Sequence, residues 1–236
     1  MPEPQRILSV AKLGLVEYQA ALALQNAMVS ARQNDAISDT LLLLEHPHVF
    51  TLGRGADERF VLAQRPQNVP LYRVSRGGEV TYHGPGQLVG YPILKLDGRN
   101  RDVHRYLRKL EEALIRALAN CDIEAGRREG LTGIWVGENK IGSIGVGIKR
   151  WTTCHGFALN VCPDLTYFRG IVPCGIAGCD MTSMEKLGAR LSVCNFSTSV
   201  CARFAEVFGY PHVVSVEPSS LWQLIESHPV EEPRHA

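Results

Sequence analysis

Residues 75 to 92 read S-R-G-G-E-V-T-Y-H-G-P-G-Q-L-V-G-Y-P, and this stretch limits the fold of the chain more than any other. Five of its eighteen residues are glycine and two are proline, so neither a helix nor one unbroken strand runs through it. Val80, Thr81, Tyr82, Leu88, Val89 and Tyr91 nonetheless favour strands. The pattern predicts a strand, a bent crossing and a second strand, with another backbone or a ligand close wherever glycine removes a side chain. Folded into a crevice, Arg76 and His83 would each need a polar partner. The plain alternative is an ordinary loop between two strands, and the stretch alone does not choose between them.

The chain has 236 residues and 45% hydrophobic content, enough for one sizeable core. Lys plus Arg is 25 against 24 for Asp plus Glu, so no global charge points to nucleic acid or to an acidic membrane surface. M-P-E-P-Q-R at the start lacks a signal-peptide pattern, and no apolar run approaches the roughly 20 residues of a membrane span. The seven cysteines include no C-x-x-C pair, which is expected of reduced thiols in a cytoplasm. Cys154-His155 with Cys162 is not a zinc spacing, and His46-Pro47-His48 reads as a strand cap, so no metal is expected.

Spacing predicts a helix over 13–31, from Val16, Ala20, Ala23, Leu24 and Ala27, and a buried strand over 40–45. Short strands follow at 49–52 and 71–74, with an exposed helical turn and loop between them. The clearest helix spans 103–119, behind Asn100 or Asp102 as N-cap, with Tyr106, Leu107, Leu110, Leu114 and Leu118 in its stripe. Its cations, Arg101, Arg105, Arg108, Lys109 and Arg116, form a solvated face or a dock for an acidic partner, with Lys149-Arg150 as a second such patch. Residues 130–136 and 140–149 read as a hairpin whose second strand carries Gly142, Gly145 and Gly147. A strand at 155–161, a short helical start behind Thr182 or Ser183, and a helix over 195–208 capped by Asn195 or Ser197 complete the pattern, with one or two turns at 218–227. The fold class is α+β, a single domain with a mixed or largely antiparallel sheet.

Cys174 is the candidate nucleophile. Pro173 and Gly175 present it on a rigid, open turn, with neighbouring amides available to an oxyanion. A thiol needs a base, and Lys140 opens the glycine-rich strand that would leave it room. The bland readings are a buried filler cysteine and a surface lysine, and spacing does not show that the two meet. His83 and His155 remain open as partners in a Cys–His arrangement. No phosphate-binding G-x-x-x-x-G-K-[ST] or G-x-G-x-x-G is present.

R-G-G-E-V-T-Y-H-G-P-G-Q-L-V-G-Y-P at 76–92 closely resembles the signature of the octanoyltransferases of lipoate biosynthesis. The resemblance continues in E-H-P-H-V-F-T-L-G-R at 45–54, G-I-W-V-G-E-N-K-I-G-S-I-G-V at 133–146, H-G-F-A-L-N-V at 155–161 and P-C-G-I at 173–176. It implies the curved mixed sheet of the biotin/lipoate protein ligase fold, with a catalytic domain over 1–215 and a partly disordered tail over 216–236. It implies that octanoyl passes from octanoyl-acyl carrier protein, through a thioester on Cys174 with Lys140 as its dyad partner, to a lysine of lipoyl domains. The implied acceptors are 2-oxoacid dehydrogenase lipoyl domains and the glycine cleavage H protein; no cofactor is implied, and the protein is expected to be a monomer. The substrate-contacting segments fall on Arg76, Gly77, Gly78, Glu79, Val80, Thr81, Tyr82 and His83, on Ser143, Ile144 and Gly145, and on Gly156, Phe157 and Ala158. The rival readings are an ATP-dependent lipoate or biotin ligase, a non-catalytic acyl or lipoyl-domain binding protein, and a Cys–His hydrolase.

Overall fold

Leu41 to Leu44 show how the chain divides its core. They lie in β2 (Asp39–Glu45), buried on both faces as a continuous aliphatic run should be. Leu41 and Leu43 face one apolar cluster, and Leu42 and Leu44 face another on the opposite side of the sheet. The structure is a computed structural model that describes residues 6–176 and 178–227.

The large sheet has eight strands. In chain order they are β1 (Ile7–Leu15), β2, β6 (Gln87–Ile93), β7 (Gly126–Arg128), β8 (Leu131–Val136), β9 (Asn139–Lys149), β10 (Thr152–Asn160) and β11 (His212–Ser215). Their spatial order is β11-β1-β2-β6-β10-β9-β8-β7. β1 runs parallel to β2 and β11, and the remaining pairs are antiparallel, so the expected mixed sheet is present. A second sheet was not expected. It orders β4 (Leu71–Arg73), β3 (Val49–Leu52) and β5 (Thr81–His83) as β4-β3-β5 and meets the first turn of α1 through Tyr18, Val49 and Val74.

Helices α2 (Val103–Ala119) and α3 (Val193–Phe208) cover one face of the large sheet; α1 (Tyr18–Gln33) and α4 (Pro218–Ser227) cover the other. α2 forms where the spacing predicts it, and the Asp102 side chain accepts the Arg105 N–H at its start. Asp39 ties several elements together. Its carboxylate accepts from Arg32 Nε at 2.8 Å, the Lys95 amide at 2.9 Å and the Tyr210 hydroxyl at 2.6 Å.

Three expectations need correction. Residues 13–15 belong to β1, and the helix starts at Tyr18, because the chain there still pairs in parallel with the end of β2, Gly14 with Leu44 and Leu15 with Glu45. Residues 185–187 form a turn, not a helix, although Ser183 Oγ does accept the Lys186 N–H. α3 begins two residues early, with Ser192 accepting the Asn195 N–H, while Ser197 turns back to the Cys194 carbonyl. The region after 215 continues as α4, which packs on the α1 side of the sheet through buried Leu221. The expected disorder at 228–236 lies outside the described residues. Among the described residues, no helix is long and apolar enough to cross a membrane.

Removing the Asp39 carboxylate leaves a buried hydroxyl, an amide and Arg32 without their acceptor. Asp39→Ala is expected to lower the free energy of urea unfolding by about 3 kcal/mol.

Candidate active site

The glycine-rich stretch joins the two sheets. β5 belongs to the small sheet and β6 to the large one, so residues 84–86 carry the chain across the gap. Arg76 holds the preceding loop from within. Its guanidinium is 7% exposed and donates to the Thr51 carbonyl and hydroxyl at 2.6 and 2.8 Å and to the Gly77 and Glu79 carbonyls at 3.0 and 2.9 Å. Its bonds thus go to the protein itself, which makes it a fastening for the loop as well as part of the cavity wall. No carboxylate hydrogen-bonds to it, and burial depresses its pKa. Gly145 on β9 lets this loop come close, since a Cβ there would stand 2.9 Å from the Gly77 carbonyl oxygen.

Lys140 and Cys174 meet. Lys140 Nζ lies 2.7 Å from Cys174 Sγ and 3.2 Å from the Thr132 carbonyl, with the lysine only 1% exposed. Two backbone irregularities bring this about. β9 carries one extra residue opposite β8, because Ile134 pairs with Gly142 but Trp135 pairs with Lys140. In regular alternation Lys140 would face away from Ser143 and Gly145; the bulge shifts the phase by one and turns it to their side. Cys174 sits at φ 58° and ψ 16°, left-handed for a non-glycine residue, between Pro173 and Gly175.

The expectation of free amides around Cys174 is not met. The amides of Cys174, Gly175 and Ile176 donate to the Val80, Val172 and Pro173 carbonyls at 3.4, 3.0 and 3.1 Å. Across the cavity, the amides of Gly78, Glu79 and Val80 have no acceptor among the described residues.

Cys174 opens onto a cavity of about 200 Å³ between the 76–83 segment and strands β9 and β10. Arg76, Gly78, Glu79, Val80, Thr81, His83, Ser143, Ile144, Gly145, Gly156, Phe157 and Ala158 all line it, as expected. Two expected residues do not. Tyr82 points to the opposite face of β5, where its hydroxyl meets His48 Nδ1 at 2.7 Å and its ring stacks on Tyr167. Gly77 lies behind the wall, donating to the Val146 carbonyl. Tyr18, Tyr91, Leu131, Thr132 and Ile176 line the cavity without having been foreseen, and His155, considered only as a partner for the thiol, lines it as well. Tyr18 comes from a distant helix start and carried no local signal.

The far side is polar but uncharged. His46 gives its Nδ1 proton to the Val16 carbonyl at 2.6 Å, so its Nε2 accepts from the Tyr91 hydroxyl at 2.7 Å. The amide of Gln87 donates to the Tyr82 carbonyl and to Asn160, leaving its oxygen to face His83 Nδ1 at 3.3 Å. Burial brings the pKa of His46 and of His155 down to about 4 and drives that of His83 well below its usual value. Burial also raises Tyr18 to about 12. Neither His83 nor His155 hydrogen-bonds to Cys174; among the described residues Lys140 holds that place. His46 and His48 turn to different partners and form no joint site.

Two cations of the basic face of α2 are paired with carboxylates. Arg108 pairs with Glu111, Arg116 with Glu112 and Glu206, and Lys109 lies over the Phe208 ring. It also lies across the sheet from α1, while Lys149 is hydrogen-bonded to Asn26.

Fold and site together define an α+β catalytic domain with a cysteine–lysine pair beside a cavity that is apolar along one side and polar at its far end. The family model for the lipoyl protein ligase A/B catalytic domain matches residues 17–205. The octanoyltransferase of Solibacter usitatus (strain Ellin6076) is 48% identical over 203 residues, covering 84% of this chain and 92% of that protein. That of Geobacter metallireducens (strain ATCC 53774 / DSM 7210 / GS-15) is 45% identical over 215 residues, covering 90% and 100%. Among solved structures, lipoate-protein ligase A bound with ATP superposes with a TM-score of 0.74 at 16% identity, covering 95% of each chain. The bipartite lipoate protein ligase of Thermoplasma acidophilum gives 0.66 at 17% identity, covering 94% and 92%; these two likenesses concern the fold. The chain belongs to the lipoyl protein ligase A/B catalytic domain family.

His46 and His155 stay neutral in the fold below the pH at which the unfolded chain takes up their protons. Their contribution is therefore intact above pH 6.5 and is lost as pH falls from 6.5 towards 4. Urea unfolding at a series of pH values is expected to show stability falling by about 1.4 kcal/mol per pH unit for each histidine in that window.

Proposed function

We propose that the protein transfers an octanoyl group from octanoyl-acyl carrier protein to a lysine of lipoyl domains, through a thioester on Cys174. The observation that carries this reading is the 2.7 Å contact between Cys174 Sγ and Lys140 Nζ beside the apolar cavity. Names of relatives that are 45 to 48% identical and match most of the chain support it. The catalytic unit is residues 1–215, with α4 packed on the α1 side outside the site. The acceptors include lipoyl domains of 2-oxoacid dehydrogenases and the glycine cleavage H protein, and the enzyme works as a monomer in the cytoplasm.

Lys140 takes the thiol proton of Cys174, and the thiolate attacks the thioester carbonyl. The resulting oxyanion is taken by the amides of Gly78 to Val80, which belong to cavity-lining residues and have no acceptor among the described residues. Collapse breaks the bond to the carrier sulfur, which leaves with the proton returned by Lys140. In the second half the acceptor amine attacks octanoyl-Cys174, Lys140 takes the amine proton, and the amide departs as the thiol is restored. The thioester is already activated, so no ATP is consumed.

The acyl chain runs over Gly145 and Gly156, between Val80, Ile144, Phe157 and Ala158. Each buried methylene contributes about 0.8 kcal/mol, so seven carbons give about 5 kcal/mol of binding. Tyr18, Tyr91 and His83 put a polar limit on the slot.

Incubation with octanoyl-acyl carrier protein, without ATP or acceptor, is expected to add one octanoyl mass that is absent in Cys174→Ala. An adduct that survives this change, or one that appears only with ATP and free acid, contradicts the reading. Lys140→Ala is expected to slow acylation at neutral pH by about a hundredfold or more, measured by quenched-flow mass spectrometry.

A further inference from the structure

Glu111 of α2 is fully buried, yet it belongs to neither the cavity nor the dyad. One carboxylate oxygen accepts from Arg108 at 2.6 Å and from Arg127 at 3.0 Å. The other accepts the Gly133 N–H at 3.2 Å. That N–H belongs to the same peptide unit as the Thr132 carbonyl, which accepts from Lys140 Nζ at 3.2 Å. In a trans peptide the carbonyl and the N–H point in opposite directions, so this one rigid plane reaches the carboxylate on one side and the lysine on the other.

We propose that Glu111 is a positioning residue for the Cys174–Lys140 pair, holding the Thr132–Gly133 peptide so that its carbonyl aims Lys140 at the thiol. The inference rests on the dyad reading above. Gly133 completes the clamp. It sits at φ 137°, and a Cβ there would lie 2.6 Å from Lys140 Cε and 2.9 Å from Nζ. The lysine is packed directly against this peptide, so a rotation of the plane moves the carbonyl off Nζ. Without an acceptor at Glu111 the buried Gly133 N–H has no partner and the plane loses its fixed point. The two arginines anchor the carboxylate from its solvent side, where their side chains are 54% and 35% exposed.

Reach and charge can be separated. Glu111→Gln keeps an oxygen at the right distance and loses the charge; Glu111→Asp keeps the charge and falls one methylene short of Gly133. The readout is the rate of Cys174 alkylation by iodoacetamide, which needs no acyl donor, measured with and without Lys140→Ala and normalised to folded protein. Glu111→Asp is expected to slow alkylation about tenfold when Lys140 is present, the worth of one buried hydrogen bond, and to change nothing in Lys140→Ala. Glu111→Gln is expected to stay within about twofold of the parent. Equal losses in both backgrounds overturn the proposal, as does a Glu111→Asp protein that alkylates at the parental rate. So does the reverse order, with Gln impaired and Asp intact, which marks a purely ionic structural role. If the cycle holds while the parent forms no octanoyl adduct, the proposed reaction fails and the positioning role stands.

Discussion

A lysine 1% exposed to solvent with its Nζ 2.7 Å from a thiol is the contact the rest of the structure serves. Neither group arrives there by regular secondary structure. A regular β9 would turn Lys140 to the opposite face, so the strand carries an extra residue at Ile141. A regular turn would not place a side chain at φ 58°, so Cys174 is fixed between Pro173, Gly175 and the Val80 carbonyl. Strain of this kind persists only where the surroundings over-determine it. The second sheet, the Arg76 fastening and the Glu111 clamp supply that restraint from three directions.

The cavity follows from the same logic. Gly145 and Gly156 pair across neighbouring strands in its lining, where Gly145 lets the 76–83 segment approach and Gly156 leaves room for the Gly90 carbonyl. Arg76 brings a cation into that wall, and its hydrogen bonds go to a threonine and to backbone carbonyls rather than to a carboxylate. Around it His46, His83 and His155 are held neutral by burial, so the histidines add no charge to that of Arg76. An apolar chain and a thioester carbonyl suit such a site better than an anionic ligand does.

The sequence carries much of this, unevenly. α2 was legible because its stripe and its Asp102 cap agree locally, and β2 because a short aliphatic run has few other uses. β1 was not, since its end shares an alanine- and leucine-rich composition with the helix after it, and only the pairing with β2 and β11 decides. β11 is exposed along its whole length, so it offers no periodic signal. Resemblance located the glycine-rich wall, but it could not say that Tyr82 faces away, which alternation within β5 settles. Tyr18 and Glu111 lie far from the 76–92 stretch in sequence and come to the site through packing alone.

The account turns on an acyl group bound to Cys174 and lodged between the two glycines and the 76–83 segment. A crystal structure of the protein acylated by octanoyl-acyl carrier protein, with no acceptor added, tests this most directly. The account predicts density continuous from Cys174 Sγ, with the chain running over Gly145 and Gly156 towards Tyr18. Acyl density on another cysteine, or a chain lying outside this cavity, would contradict it.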